Sequence, residues 1–269
     1  MIMMQTTIVV MKGFLQHPAR VTFRLLWLLG EIVIALLDFV INVMFQTKVP
    51  LPQARAQWLQ HACRRVLRIM DVKIQTQGPI PVRGLMVSNH LSYVDILLVS
   101  AITPSVFIAK SEVKRWPVFG WFAQLSGTLF VKRSRRSDVA RLNRELHQLL
   151  DTNLLVVLFP EGTSSDGSQV LPFKSSLLEP ITRLDQPVTV AFIQYSLPEG
   201  NAGEDVCYWG DMTLAPHLLN LFSKEGVTAH VSFTRLEHVA HSRKELARYL
   251  HSHVLRLKEA GPEPALLST

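Results

Sequence analysis

Apolar residues fall into two regimes along the chain. Up to about residue 70 they recur with helical spacing, and beyond Asp71 they come in short runs separated by amphipathic stretches of helical length. From Leu25 to Phe45 the sequence is strongly apolar, interrupted by Gly30, Glu31, Asp38 and Asn42. Arg24, Glu31, Asp38 and Asn42 are separated by seven, seven and four residues, so a 3.6-residue period aligns them as one narrow polar stripe of a helix. The opposite face, rich in Leu, Ile, Val and Phe, is predicted to enter lipid or pack on a partner. After Pro50 and Pro52, Ala54 to Met70 forms an amphipathic basic helix, expected to continue the membrane-facing surface.

Beyond Asp71 the runs predict strands at Val72 to Gln75, Gly84 to Ser88, Val106 to Ala109, Thr128 to Val131, Leu154 to Phe159, Val188 to Gln194 and Val227 to Phe233. Helices are predicted near Val94 to Ala101, Ser137 to Leu150, Ser175 to Thr182, Leu214 to Phe222 and Ser242 to Leu257. This alternation predicts an α/β fold. No solenoid repeat and no low-complexity linker divides the chain, so the expected organisation is an N-terminal membrane-associating helical segment (1–70) and one domain (71–269).

Composition supports a membrane surface. The chain is 48% hydrophobic and 18% charged, more apolar than an ordinary cytosolic enzyme and too ionic for a multi-span membrane protein. On an insertion scale, Glu31 and Asp38 near mid-helix oppose spanning by about 5 to 7 kcal/mol, and about fourteen Leu, Ile, Val and Phe residues return a similar gain. A helix lying in the interface, or dipping into one leaflet beside another helix, satisfies both faces; a buried helix of a soluble domain is the competing reading. Residues 1–20 lack a basic n-region and a small-residue cleavage site, so no secretory signal is predicted.

The net charge of +7, with basic clusters at Arg64, Arg65 and Arg68 and from Lys132 to Arg136, suits anionic lipid head groups or an acidic carrier protein. Nucleic acid is not expected, because no helix-turn-helix, finger or aromatic-studded basic motif accompanies the charge. Cys63 and Cys207 are far apart and outside any metal-ligand spacing, so neither a disulfide framework nor a zinc site is predicted.

Three segments carry candidate chemistry, each just after a predicted strand, where an open α/β sheet places its site. The first is Ser88-Asn89-His90-Leu91-Ser92-Tyr93-Val94-Asp95. A histidine takes a proton from an alcohol near neutral pH, and a carboxylate on its other ring nitrogen fixes the tautomer. Residues five apart do not share a helical face, but with His90 in a turn and Asp95 in the first helical turn the carboxylate folds back to the ring. Ser92 to Asp95 also reads as a capping box. The second segment, Gly127 to Arg133, delivers Lys132 and Arg133 at the end of a strand, where Arg133 is suited to a phosphate or carboxylate; a plain surface charge is the alternative. The third runs from the strand into Pro160-Glu161-Gly162-Thr163-Ser164-Ser165-Asp166-Gly167, a turn whose carboxylate, hydroxyls and backbone donors suit an acceptor's hydroxyls.

In this order and spacing the segments resemble the glycerolipid acyltransferase family, which includes 1-acylglycerol-3-phosphate O-acyltransferases. The likeness covers Gly84 to Gln194: Asn89, His90 and Asp95 in the first block, Gly127, Phe130, Val131 and Arg133 in the second, Phe159 to Thr163 in the third. It implies a single domain with a mixed central sheet flanked by helices, a thioester donor (acyl-CoA or acyl-carrier protein) as co-substrate, and neither metal nor cofactor. It also implies His90 as general base, Asp95 as its orienting partner, and an acceptor site formed by Asn89, Arg133, Glu161, Gly162, Thr163 and Ser164. The expected reaction acylates the free hydroxyl of a lysolipid, 1-acylglycerol-3-phosphate first, on the cytoplasmic face of the cell membrane, with the chain monotopic or anchored by one helix.

Two positions depart from the family pattern. Ser164 stands where arginine often follows the third block, and Pro187-Val188-Thr189-Val190 lacks the second proline of the fourth. Pro160 to Gly167, Leu171 to Ser176 and Tyr208 to Met212 resemble a bacterial branch that includes lyso-ornithine lipid acyltransferases, so lyso-ornithine lipid is the alternative acceptor. Rivals of other classes are a catalytically silent lipid-binding homologue and a thioesterase or lipase pairing His90 with Ser88 or Ser92. The latter lacks a nucleophile-elbow context.

Overall fold

The computed structural model describes residues 17–46, 48–131, 136–179, 182, 188–237 and 242–261, with the backbone alone at 136–140 and 143. Seven strands, β1 (Val72–Gln77), β2 (Gly84–Ser88), β3 (Ser105–Lys110), β4 (Leu129–Val131), β5 (Leu155–Leu158), β6 (Val188–Ser196) and β7 (Val227–Leu236), form one sheet in the order β1-β7-β6-β2-β5-β3-β4. Neighbours are parallel except β6 and β7, which run antiparallel from Val188 opposite Leu236 to Ser196 opposite Thr228. Each expected strand is present, and the sheet is mixed, as expected.

The centre of the sheet is covered on both faces, so β2 and β5 are wholly buried and read as continuous apolar runs. Alternation still sorts their side chains. Leu85 and Val87 of β2 join Val156 and Leu158 of β5 in one core, while Met86 joins Leu155 and Val157 in the other. The first core is closed by α5 (Arg136–Leu150) and α7 (Arg243–Ala260) through Leu142, Leu146, Leu246 and Leu250. The second is closed by α1 (Pro18–Phe39), α2 (Leu51–Ile69), α3 (Val94–Ile102) and α6 (Leu214–Ser223). A short helix α4 (Phe119–Leu125) has too few residues to show a period and was not expected. The helix expected over Ser175 to Thr182 is a single turn, Ser175–Leu178.

Helix α1 continues through a π-helical turn to Met44, and Pro18–Met44 is long and apolar enough to cross a membrane. Three residues of its polar stripe, Arg24, Glu31 and Asp38, face the protein, while Asn42 is exposed and its Nδ2 donates to Asp38 Oδ1 at 2.5 Å. Arg24 donates to the carbonyls of Phe222 (2.9 Å), in the last turn of α6, and Lys224 (2.5 Å), just after it, and Glu31 accepts from Arg65 Nε of α2 at 2.6 Å. Arg65 also reaches Asp38 at 3.6 Å, and Trp58 Nε1 donates to the Ala35 carbonyl at 2.7 Å. Six residues on the other side, Leu26, Leu29, Leu37, Ile41, Met44 and Phe45, are each more than half exposed.

Helix α2 turns its apolar side inward, burying Trp58, Leu59, Ala62, Cys63 and Leu67, so the side it leaves exposed is polar and basic, with Gln57, His61, Arg64 and Arg68. Gln60 and Arg64 donate to the carbonyls of Ala101 and Ile102, groups that α3 leaves without intrahelical partners at its C-terminus.

Candidate active site

Because β2, β3, β4, β5 and β6 run in one direction, their C-terminal ends meet along one edge of the sheet. The Asn89-to-Asp95 turn leaves β2 there, and the Pro160-to-Gly167 loop leaves the adjacent β5. Ser165 N donates to the His90 carbonyl at 3.0 Å, which ties the two segments together.

Asp95, with no solvent exposure, is the hub. Its Oδ2 lies 2.7 Å from His90 Nδ1 and also accepts from Leu91 N (2.6 Å) and Ser92 N (3.0 Å). Its Oδ1 accepts from the Tyr195 hydroxyl at 2.7 Å. The capping-box reading is half right: the carboxylate does reach back to Ser92 N, but the Ser92 hydroxyl has no partner. A buried carboxylate opposite Nδ1 requires that nitrogen to carry the proton, leaving the lone pair on Nε2. The His90 ring lies flat against Phe159, centroids 4.3 Å apart and planes at 16°, which fixes its orientation further.

Asn89 is 2% exposed, with Nδ2 donating to the Ile193 carbonyl (2.9 Å) and Oδ1 accepting from Ile193 N (2.8 Å). Both ends of the amide therefore fasten the turn to β6.

Glu161 is 1% exposed; Oε1 accepts from Leu171 N at 3.3 Å and Oε2 has no partner. Burial pushes its carboxyl up to about 8, against the lowering effect of the Leu171 and His90 amides; Asp95 raises it further and Lys174 lowers it. The side chain is thus a neutral acid at pH 7. Gly162 turns the loop at φ +67, a conformation that disfavours a side chain, and its N–H bonds the Phe159 carbonyl at 3.1 Å. Thr163 is exposed, and the Ser164 hydroxyl donates to the Tyr208 carbonyl. Arg133 lies outside the described residues. The strand leading to it, β4, has Phe130 buried beneath Lys114, whose Nζ sits 4.7 Å from the ring centre.

Neither candidate serine serves His90. Ser88 and Ser92 are fully buried, and the Ser88 hydroxyl donates to Asn89 Oδ1 at 3.2 Å. Among the described residues no cluster of three His, Cys, Asp or Glu side chains is placed to hold a metal ion. Sequence reasoning missed Tyr195, which lies 100 residues from Asp95 on a strand whose pattern carries no sign of it.

The chain has relatives among known proteins. Residues 71–193 match the family described as Acyltransferase. The lyso-ornithine lipid O-acyltransferase of Brucella abortus is 36% identical over 216 residues, spanning 74% of this chain and 80% of that protein. The 1-acyl-sn-glycerol-3-phosphate acyltransferase of Neisseria meningitidis is 32% identical over 199 residues, spanning 73% of this chain and 78% of that protein. The crystal structure of the 1-acyl-sn-glycerophosphate acyltransferase of Thermotoga maritima shares the fold, with a TM-score of 0.67, 17% identity and coverage of 91% and 95%. The chain belongs to the acyltransferase family and is an acyl-transferring enzyme of lipid synthesis.

Proposed function

We propose that the chain is a lysolipid O-acyltransferase in which His90 is the general base and Asp95 orients it. The observation that carries this reading is the His90 ring, held through Nδ1 on a fully buried carboxylate with Nε2 left as proton acceptor. The acceptor hydroxyl gives its proton to Nε2 as its oxygen attacks the thioester carbonyl of acyl-CoA or acyl-carrier protein. The tetrahedral adduct then collapses, the C–S bond breaks, and the leaving thiolate takes the proton from the imidazolium. A thiolate leaves readily, so no enzyme nucleophile is needed.

The acceptor site comprises Arg133, Glu161, Gly162, Thr163 and Ser164. The preferred acceptor is 1-acylglycerol-3-phosphate, giving phosphatidic acid, because an uncharged Glu161 removes an anion that would repel the phosphate. Lyso-ornithine lipid is the second reading, favoured by Ser164, whose hydroxyl is tied to Tyr208 and adds no cation. The exposed side of α1 would seat the enzyme on lipid at the cytoplasmic face, with the lysolipid entering laterally. Arg24, Glu31 and Asp38 of its polar stripe, bonded to α2 and to the C-terminal end of α6, favour a monotopic arrangement over an independent span.

The test is acyl transfer from labelled acyl-CoA and acyl-carrier protein to each lysolipid in detergent, comparing wild type with His90→Ala. A positioned base contributes roughly two to four powers of ten, so His90→Ala should fall by that factor. An unchanged rate removes His90 from the chemistry. Thioester hydrolysis without acceptor would move the assignment to a hydrolase, and binding without turnover to a silent homologue.

A further inference from the structure

The turn from β2 is fastened to β6 at two points. Asn89 clamps the Ile193 backbone, and two residues along the same face of β6 the Tyr195 hydroxyl reaches Asp95 Oδ1. The other donors to Asp95, namely His90 Nδ1, Leu91 N and Ser92 N, all come from the local turn and all converge on Oδ2. Among the described residues Tyr195 is the donor that reaches Oδ1. Its register is set from outside the site, since β6 places it opposite Ala229 of β7.

We propose that Tyr195 is a positioning residue of the dyad: its hydroxyl locks the Asp95 carboxylate in the orientation that serves His90 and draws off part of the negative charge that the imidazole faces. The inference rests on the reading of His90 as general base. A hydrogen bond donated to a carboxylate withdraws negative charge from it, so the ring it faces is less readily protonated. Without that bond, Oδ1 is a bare buried anion. The imidazole then faces the full negative charge and is protonated more readily, and a protonated His90 is not a base.

The surroundings isolate the effect. Tyr195 is 5% exposed, and its burial, reinforced by Asp95, pushes the phenol well above its ordinary range, so it remains a donor throughout the working range. Tyr93, at the start of α3, is pushed up by burial in the same way. The Cys207 thiol is pushed up to about 12 by burial, then by Asp95 and Asp166. Glu161, beyond β5, is raised to about 8 by burial and is mostly neutral at pH 7 and below. In that range the dyad itself governs the acid limb of the rate profile.

The experiment is kcat/KM against pH from 5 to 9, with a thioester donor and a lysolipid, for wild type, Tyr195→Phe and His90→Ala. Tyr195→Phe should displace the acid limb upward by about one pH unit, making it about tenfold slower at pH 6 and close to wild type by pH 8. A merely structural role would depress the rate equally at all pH values with the limb unmoved, and that result overturns the proposal. If Tyr195→Phe fails to fold, 3-fluorotyrosine at position 195, a stronger donor of nearly the same shape, must shift the limb to lower pH; an unmoved limb there is equally fatal. Wild type active, His90→Ala silent and the limb unmoved refutes the role of Tyr195 alone. A wild type that transfers no acyl group to either lysolipid removes the dyad reading and this inference together.

Discussion

Glu161 gives the sharpest test of the site's electrostatics. In the unfolded chain its carboxyl has its ordinary value, 4.5, and in the folded protein burial raises it to about 8. The folded state therefore holds this proton more tightly, and the group's contribution to stability is complete below pH 4.5 and declines as pH rises toward 8. At about 1.4 kcal/mol for each tenfold difference in proton affinity, the full interval corresponds to an upper bound of about 5 kcal/mol. Glu161→Gln keeps the acceptor for Leu171 N and the shape of the neutral acid, but does not titrate. The variant should gain on wild type steadily between pH 5 and 8 and hold a constant lead above. For a chain of this size about 1 kcal/mol moves Tm by roughly 2 to 4 °C, so the gap should widen by roughly 5 to 15 °C. Thermal unfolding in detergent at half-unit pH steps measures it. A gap that stays flat from pH 5 to 8 would refute the reasoning, because it would mean that Glu161 is ionised in the folded protein like an ordinary carboxylate.

Two further perturbations address the scaffold. Asn89→Ala leaves the Ile193 N–H and C=O without side-chain partners, so it should destabilise the fold by about 1 to 3 kcal/mol and slow catalysis through misplacement of His90; chemical denaturation and kcat/KM at one pH read the two effects. Leu26→Glu with Leu37→Glu places charges on the exposed side of α1, and loss of two leucines from lipid at about 1.5 to 3 kcal/mol each should weaken vesicle binding by more than tenfold. Co-sedimentation with phosphatidylethanolamine and phosphatidylglycerol vesicles tests it, and undiminished binding would place the membrane contact elsewhere.

Short-range regularities made the fold legible. The apolar runs became strands because buried strands need uninterrupted or alternating apolar residues, and that need is written locally; only the edge strand β1, largely exposed, owes little to burial. The spacing of Arg24, Glu31 and Asp38 identified a polar stripe, and the five-residue interval from His90 to Asp95 identified a carboxylate able to fold back on a ring. For helix α2 the amphipathic basic pattern does not say whether its apolar side meets lipid or core. In the structure it meets core, and its cations and amide groups meet the carbonyl end of α3 and the acids of α1.

By itself the sequence determined the α/β alternation, the dyad and the polar stripe, since each depends on residues within a turn or two of one another. Tertiary structure decided the rest. It set β6 beside β2, which gave Asn89 a backbone to clamp and brought Tyr195 to Asp95 across 100 residues of chain. It also closed the loop after β5 over Glu161 and kept that carboxyl neutral. Those outcomes follow from strand order and burial, which long crossover connections fix and no local periodicity encodes.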